Sequence, residues 1–362
     1  MDFHTQAGRS VLELKIDGHI ARNSEGSFLR LKDGSIFYAY SQFIGSDDDC
    51  APSNIAAVWS YDEGETWTEP KVILNASDFG SHNIMSVSLM RMQNGDVGMF
   101  FGKRHTPTEG RHLLARSNDE CKSWYKVINC SLPDRPGNYV LNNDRVIRTS
   151  TGRLIMPTAF HRGGDSWGGE KHYFDFAGSL CFKLSDDDGE TWFESPDTVH
   201  PPFVSKHGLQ EPGVVELESG VLWAYARTVV MFQYQCFSFD NGMHWTQAQP
   251  SRFTSPCSPL HIRRNPYDSS LVAVWNPIPN YNGRIPNERI SSGRTPIVYA
   301  VSKDDGTTWT DPVVIEGRED CGYCYPSIFF TKDNCMLVGY CSGAPEDGDI
   351  LASSSIRKIE LN

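Results

Sequence analysis

A run of three adjacent aspartates lies early in the sequence. Asp47, Asp48 and Asp49 belong to the segment Gly45 to Cys50. Carboxylates side by side raise one another's pKa, which suits a group that has to donate a proton. The same run would suit a solvated loop or a weak calcium site equally well, although its spacing does not fit an EF-hand loop. Acid catalysis and these structural roles are therefore alternatives.

A second polar cluster lies in a stretch bounded by apolar residues. It consists of Asn142, Asn143, Asp144 and Arg145. Successive amides and charges at the start of a strand are unusual in a core. We therefore predict that Asn143 and Asp144 contact the hydroxyl groups of a bound ligand. A role in capping a turn fits the same residues equally well.

Other common catalytic and metal-binding patterns are absent. The sequence has no P-loop, no glycine-rich dinucleotide motif after a strand and no Gly-x-Ser-x-Gly elbow. The ten cysteines are irregularly spaced, and the one Cys-x-x-Cys, from Cys321 to Cys324, has no second pair. This indicates reduced, mostly buried thiols. Four histidines in loops lack metal-ligand spacing and are expected to be solvated: His82, His161, His172 and His207. We predict no metal and no organic cofactor.

The composition is that of a folded, acidic protein. The 362 residues are 39% hydrophobic, 12% aromatic and 22% charged, which is enough apolar mass for a core. The formal net charge of −12 disfavours nucleic acid and anionic membranes as partners. No apolar run approaches the roughly 18 residues of a membrane span, and the first residues lack the pattern of a secretion signal. We expect a cytoplasmic protein, or a secreted one if a leader was removed. The sequence does not indicate an oligomeric state.

One short pattern, Ser-x-Asp-x-Gly-x-Thr-Trp, recurs along the chain. Complete copies begin at Ser60, Ser185 and Ser302, and degenerate copies begin at Ser117 and Ser238. The degenerate copies have Cys121 in place of glycine and His244 in place of threonine. The residue types are typical of a hairpin turn, in which Asp caps backbone N–H groups, Gly adopts a positive φ and Trp packs between sheets.

The spacing of the copies predicts the architecture. They recur about every 60 residues, which suits four strands with their loops, or one propeller blade. Apolar segments precede the copies as strands should, for example Ile55 to Trp59 and Ile297 to Val301. The segment from Gly322 onward would form a sixth blade, closed by an N-terminal strand from Ser10 to Ile16. We predict an all-β, six-bladed propeller as a single domain over residues 1–362, since seven blades would leave too few residues each.

The repeat is the Asp-box, and five copies at this spacing resemble the sialidase (neuraminidase) superfamily along nearly the whole chain. The Asp-box is itself structural and also occurs in propellers that are not enzymes. The resemblance implies a retaining glycoside hydrolase of the exo-α-sialidase type, acting on a sialylated or other acidic glycan. A propeller glycosidase for a different acidic sugar and a non-catalytic glycan-binding propeller are the alternatives.

The resemblance also implies catalytic residues. Sialidases use a tyrosine nucleophile, which needs a carboxylate as its base. The segment from Gln210 to Leu217 is similar to the strand that begins with this base, which assigns the role to Glu211 and makes Gln210 a further substrate contact. The segment Cys324-Tyr325-Pro326 resembles the one that carries the nucleophile, here Tyr325, although proline replaces the usual small polar residue. Tyr323 would point the same way along a strand and is the alternative.

Three arginines and an acid complete the implied site. Arg227 and Arg294 match two of the arginines that bind the substrate carboxylate in sialidases. Arg22 is assigned as the third, although the family's Arg-Ile-Pro motif is absent and Arg22 lies about two residues early. Register within the aspartate run favours Asp49 as the acid, with Asp48 next, and Glu25 is expected to be a further polar contact to the substrate.

Overall fold

The structure is a computed structural model that describes residues 6–106, 109–132, 137–164, 173–278, 293–347 and 351–361. His172 lies outside the described residues. The strands, in chain order, are β1 (Arg9–Leu14), β2 (Ile20–Arg30), β3 (Ile36–Ile44), β4 (Ser53–Ser60), β5 (Lys71–Leu74), β6 (Ile84–Arg91), β7 (Val97–Thr106), β8 (Glu109–Ser117), β9 (Lys126–Asn129), β10 (Asn138–Val140), β11 (Ile147–Arg148), β12 (Leu154–His161), β13 (Gly163–Gly164), β14 (Tyr173–Phe174), β15 (Ser179–Ser185), β16 (Phe193–Glu194), β17 (Gln210–Glu216), β18 (Leu222–Arg227), β19 (Phe232–Ser238), β20 (Gln249–Thr254), β21 (His261–Arg264), β22 (Leu271–Trp275), β23 (Ile297–Ser302), β24 (Val313–Glu316), β25 (Gly322–Phe330), β26 (Cys335–Gly343) and β27 (Ser353–Glu360). Short 3-10 helices span Ala76–Phe79 and Pro345–Asp347.

The strands form six consecutive groups, which we call sheets 1 to 6. Sheet 1 contains β2 to β5, sheet 2 contains β6 to β9, and sheet 3 contains β10, β11, β12, β15 and β16. Sheet 4 contains β17 to β20, sheet 5 contains β21 to β24, and sheet 6 contains β25 to β27 with β1 at its edge. A parallel contact between β8 and β10 connects sheets 2 and 3, and β13 pairs with β14 in a separate ribbon. The predicted all-β class is confirmed.

Strands near the start of each sheet contact those of the next sheet in five of the six neighbouring pairs, whereas sheets 2 and 3 meet through β8 and β10. β2 contacts β6, β12 contacts β17, β17 contacts β21, β21 contacts β25, and β25 contacts β2. The strand expected at Ser10 to Ile16 is observed as β1, which pairs antiparallel with β27. The strands expected before two Asp-boxes are confirmed as β4 and β23.

Each Asp-box forms the turn between the last two strands of its sheet. In the first copy, Asp62 Oδ1 accepts hydrogen bonds from Ser60 Oγ at 2.9 Å and from the N–H of Thr66 at 2.9 Å. Gly64 has a φ of 86° and donates its N–H to Ser60 Oγ at 2.8 Å. The degenerate copies keep these bonds, because Cys121 adopts a φ of 67° in place of glycine and His244 contacts Asp240 as threonine does elsewhere.

The Asp-box tryptophans pack each sheet against the one before it. Trp245 of sheet 4 stacks on Phe182 of sheet 3 with ring centroids 3.7 Å apart. Trp67 of sheet 1 shares a buried cluster with Leu337 of sheet 6. The first sheet therefore packs against the last, and the hydrophobic core consists of successive layers between neighbouring sheets.

Two further observations concern the cysteines and membrane-spanning helices. All ten cysteines are free thiols, and eight of them are buried. The described residues contain no helix with the length and apolar character needed to span a membrane.

Candidate active site

Five residues near the starts of five sheets have the left-handed backbone conformation that side chains other than glycine rarely adopt. Their φ angles lie between 47° and 62°. At four of them the strand pairing also shifts register, which is the mark of a β-bulge. The five residues are Glu25, Ser86, Asp144, Glu211 and Tyr325. Because such strain clusters at functional sites, the region they share is the candidate site.

A hydrogen-bonded tyrosine, glutamate and arginine form the centre of this region. Tyr325 Oη donates to Glu211 Oε1 at 3.2 Å. Arg227 Nη1 lies 2.9 Å from Glu211 Oε2 and 3.3 Å from Tyr325 Oη. Burial, and next the Glu211 carboxylate, raise the pKa of Tyr325 well above its ordinary value. The phenol is therefore neutral, and Glu211 is placed to accept its proton.

Strand pairing positions Arg227 beside Glu211. Gln210, the first residue of β17, pairs with Arg227, the last residue of β18. The Gln210 side-chain oxygen accepts from Arg227 Nη2 at 2.8 Å and from Nε at 3.3 Å. Gln210 thus fixes the plane of the guanidinium and leaves Nη1 for the carboxylate and the phenol.

The other two predicted arginines lie on either side of this centre. Arg22 packs over the ring of Phe43 at 3.7 Å and donates to Asp49 Oδ1 at 2.9 Å. Arg294 donates to the backbone oxygen of Cys257 at 3.0 Å, and its guanidinium carbon lies 5.5 Å from the centre of the Tyr325 ring. Two of the three arginines predicted for the carboxylate therefore have carboxylate partners in the free protein, and Arg294 has a backbone oxygen.

A cavity of about 300 Å³ opens beside Tyr325. Of the predicted site residues, the ones that line it are Glu25, Asp49, Gln210, Glu211, Arg227 and Tyr325. Further lining residues that the sequence analysis did not assign include Met85, Ser86, Arg104, Asn142, His161, Phe174, Phe176 and His207. Charged and amide groups thus face aromatic and apolar side chains across one cavity, an arrangement that suits a sugar ring.

Two of these further lining residues, His161 and Asn142, are buried. His161 was expected to be solvated, but it is 4% exposed and its ring stacks on Phe174 at 5.4 Å. Asn142 is 2% exposed, and its Nδ2 has no hydrogen-bond partner among the described residues. The sequence signal for Asn142 was the amide cluster itself, in which Asn143 and Asp144 were assigned instead.

Asn143 and Asp144 lie behind the cavity. Asn143 is fully buried and donates from Nδ2 to the backbone oxygens of Gly26 at 2.8 Å and Tyr325 at 3.3 Å. These bonds connect sheet 3 to sheets 1 and 6. The contacts observed for Asn143 are therefore with the backbone of the site, and Asn143 is not among the residues that line the cavity.

Asp144 connects four sheets. Its carboxylate accepts from Ser27 Oγ at 2.7 Å, from Arg263 Nη1 at 2.8 and 3.0 Å, and from the N–H of Ile328 at 3.2 Å. His261 Nε2 lies 3.2 Å away. Although burial opposes ionisation, Arg263 and then His261 hold the pKa of Asp144 below its ordinary value. These contacts are those of a buried structural carboxylate and not of a group that faces glycan hydroxyls.

The structure separates the two candidate tyrosines. The prediction that Tyr323 points the same way as Tyr325 is wrong, because the left-handed conformation of Tyr325 interrupts the alternation of side chains along β25. Tyr323 is 6% exposed and packs against Tyr340 in the core, with ring centroids 6.1 Å apart.

Within the described residues, no group of three or more His, Cys, Asp or Glu side chains could hold a metal ion.

Comparison with known proteins identifies relatives of this architecture. A protein of unknown function from Dyadobacter fermentans DSM 18053 is 20% identical, with a TM-score of 0.72 over 97% of this chain and 99% of that one. The Hadza microbial sialidase Hz136 is 17% identical, with a TM-score of 0.74 over 98% of this chain and 68% of that one. The NanB sialidase from Streptococcus pneumoniae is 14% identical, with a TM-score of 0.71 over 98% and 71%. A comparison with curated protein sequences gives no match.

The family comparison agrees with the Asp-box repeat. The model of the BNR repeat-like domain matches residues 34–340, which is most of the chain. At identities of 20% and below, the solved structures show a common fold, and this fold includes sialidases. The chain therefore belongs to the family of BNR repeat-like domains and has a sialidase-like fold.

Proposed function

We propose that the six sheets form a six-bladed β-propeller with the cavity at its centre. Each sheet has the antiparallel order expected of a blade, and each sheet contacts the next one in the chain. The packing of Trp67 against Leu337 and the pairing of β1 with β27 support closure between the last blade and the first. The chain would then be one domain, since its first strand pairs with its last and the first sheet packs against the sixth.

We further propose that the protein is a retaining glycoside hydrolase of the sialidase type, which releases a terminal sugar that bears a carboxylate. The observation that carries this proposal is the hydrogen bond from Tyr325 to Glu211, with Arg227 against both, at the wall of the cavity. A neutral phenol avoids placing an anion against a substrate that is itself anionic. A phenol needs a base to become a nucleophile, and Glu211 is within reach.

The arginines would bind the substrate carboxylate. Arg22, Arg227 and Arg294 present guanidinium groups, which form charge-assisted and often bidentate bonds with carboxylates. In the free protein Arg22 is held by Asp49 and Arg227 by Glu211. A bound carboxylate would share these guanidinium groups and loosen both ion pairs, so binding and activation of the site are coupled. The local cations also offset the protein's overall charge of −12, which repels an acidic glycan.

The reaction would proceed in two displacements. Tyr325 Oη forms a bond to the anomeric carbon while its proton passes to Glu211, and the bond to the leaving oxygen breaks as that oxygen receives a proton. Water then attacks the anomeric carbon from the side opposite Tyr325 and gives its proton to the carboxylate that protonated the leaving oxygen. The bond between Tyr325 Oη and the anomeric carbon breaks, and Tyr325 recovers its proton from Glu211. Two inversions give net retention. Two carboxyl groups at the cavity could protonate the leaving oxygen: Asp49, which the sequence predicts, and Glu25.

The experiment is a comparison of two tyrosine variants on an aryl α-sialoside. Tyr325→Phe should lower kcat by more than about 1,000-fold because the nucleophile is lost. Tyr323→Phe is the matched control, since the same hydroxyl is removed from a side chain that packs in the core. Proton NMR of the first product should show the α-anomer, as retention requires.

Four outcomes would contradict the proposal in different ways. Undiminished turnover by Tyr325→Phe would refute the nucleophile, and an inverted product would refute the two displacements. A folded wild type that hydrolyses uronides and no sialosides would support the alternative of a different acidic sugar. A folded wild type that hydrolyses neither but binds them would be a glycan-binding propeller.

A further inference from the structure

Glu25 shares its backbone conformation with the two residues of the proposed nucleophilic centre. Its φ is 58°, compared with 47° for Glu211 and 54° for Tyr325. The strand pairing of β2 shifts register between Ser24 and Ser27, as it does around the other two residues. The same bulge therefore presents three ionisable side chains to one cavity from sheets 1, 4 and 6.

The backbones that carry Glu25 and Tyr325 are fixed close together. Asn143 Nδ2 donates to the backbone oxygen of Gly26, the residue after Glu25, at 2.8 Å, and to that of Tyr325 at 3.3 Å. Because one nitrogen reaches both, these two oxygens are at most about 6 Å apart. The side chains of Glu25 and Tyr325 also line the same cavity, so a sugar whose anomeric carbon is held at Tyr325 would share that cavity with the Glu25 carboxyl group.

The surroundings of Glu25 favour the neutral acid. The residue is 6% exposed, and within the described residues its carboxyl group has one hydrogen bond, from Ser86 Oγ to Oε2 at 2.6 Å, and no ion pair. Burial raises the pKa of Glu25 to about 8, opposed mainly by Arg22, while Asp49 and Cys341 add to the rise. Oε1 has no bond within the described part of the chain and can carry a proton.

Asp49 has the opposite surroundings. Its side chain is 58% exposed and forms an ion pair with Arg22 at 2.9 Å. The contact is a charge-assisted hydrogen bond that Asp49 Oδ1 accepts from Arg22 Nη2, and the rest of the carboxyl group faces solvent. Asp49 is therefore better suited to orienting Arg22 than to donating a proton.

We propose that Glu25 is the catalytic acid that protonates the departing glycosidic oxygen. The assignment rests on the proposed glycosidase function. As the glycosidic C–O bond breaks, the proton on Glu25 Oε1 passes to the leaving oxygen, while the proton of Tyr325 passes to Glu211. In the second displacement the Glu25 carboxylate takes a proton from the attacking water, so that the neutral acid and the free tyrosine are both restored.

The experiment compares Glu25→Gln with Asp49→Asn on α-sialosides that differ in leaving group. A p-nitrophenyl group departs without acid assistance, whereas a methyl group requires it. Glu25→Gln should lower kcat/KM by about 100-fold or more on the methyl sialoside and by less than about 10-fold on the p-nitrophenyl sialoside. Asp49→Asn should lower both values by one common factor, because it disturbs Arg22 and not proton transfer.

The wild type provides a second test that does not depend on the folding of a variant. An acid has to be protonated, so kcat/KM on the methyl sialoside should fall as the pH rises through about 8, the pKa of Glu25. On the p-nitrophenyl sialoside this fall should be much weaker.

The outcomes separate this proposal from the broader one. If Glu25→Gln lowers kcat/KM equally on both substrates, Glu25 is a binding residue and the assignment is overturned. The assignment is also overturned if Asp49→Asn, rather than Glu25→Gln, lowers kcat/KM more on the methyl sialoside than on the p-nitrophenyl sialoside. An identical alkaline fall on both sialosides with the wild type would overturn it as well. Failure of the glycosidase function would look different, since the wild type itself would turn over neither substrate.

Discussion

Removal of the buried Asp144 carboxylate should destabilise the protein far more than removal of a carboxylate from an exposed ion pair. Asp144 has a 3% exposed side chain and receives bonds or close contacts from Ser27, His261, Arg263 and Ile328. Deleting one partner of a buried ion pair leaves the other uncompensated, which costs about 3–5 kcal/mol. Asp144→Ala should therefore lower the free energy of unfolding by that amount.

The matched control is Asp186→Ala. Asp186 also accepts two hydrogen bonds from one arginine, Arg153, at 2.6 and 2.8 Å, but its side chain is 55% exposed. An exposed pair contributes about 0–1 kcal/mol. Urea denaturation at pH 7, followed by tryptophan fluorescence, gives both values from the midpoints and slopes. Equal losses in the two variants would refute the reasoning, because both the burial of Asp144 and its larger number of partners predict the greater loss there.

The pH dependence of the free energy of unfolding is a second test of the role of Asp144. The pKa of Asp144 is lower in the folded protein than in the unfolded chain, where it is about 3.9. The stabilisation is therefore fully present above that pH and is lost as the pH falls through the folded value. The difference in unfolding free energy between the wild type and Asp144→Asn should be constant from pH 7 to about 5 and should narrow only in stronger acid. A difference that narrows already near neutral pH would contradict this assignment.

Two further predictions concern the packing between sheets. Trp245→Ala should lower the free energy of unfolding by about 3–5 kcal/mol, because the indole is 8% exposed and stacks on Phe182; a loss below about 1 kcal/mol in urea denaturation would contradict this. Gly64→Ala should destabilise the protein more than Gly34→Ala in the same measurement. Both glycines have φ near 90°, but an added Cβ at Gly64 would lie 2.8 Å from Leu337, whereas Gly34 has no atom within 4 Å. A larger loss for Gly34→Ala would contradict the role of this contact.

The sequence predicts the turns and the local strand pairs of this protein well. Ser60, Asp62 and Gly64 have the conformations and hydrogen bonds that their residue types require, because a hairpin turn is determined within a few residues. The pairing of Gln210 with Arg227 also follows from a short hairpin. In contrast, the approach of Tyr325 to Glu211 joins segments more than 100 residues apart and was implied only by family resemblance.

The features that the sequence did not predict arise from the bulges. Nothing in the identity of Glu25, Glu211 or Tyr325 signals a left-handed backbone, since glycine is the residue expected there. One bulge turns Tyr325 into the cavity and leaves Tyr323 in the core, so the two-residue period of a strand failed at that point. Asn143 was assigned to the glycan because successive amides are unusual in a core. Its observed partners are backbone atoms of distant sheets, which no local pattern reveals.

The pairing of β1 with β27 has a consequence for biosynthesis. The two strands join residues about 350 positions apart, and β27 follows every other strand of the six sheets in the chain. During translation β1 therefore leaves the ribosome long before its partner exists, and its backbone N–H and C=O groups stay open to other chains. Contacts between distant segments also form slowly. A chain halted before β27 would expose unpaired edges on both β1 and β26, which makes this stage of synthesis open to aggregation.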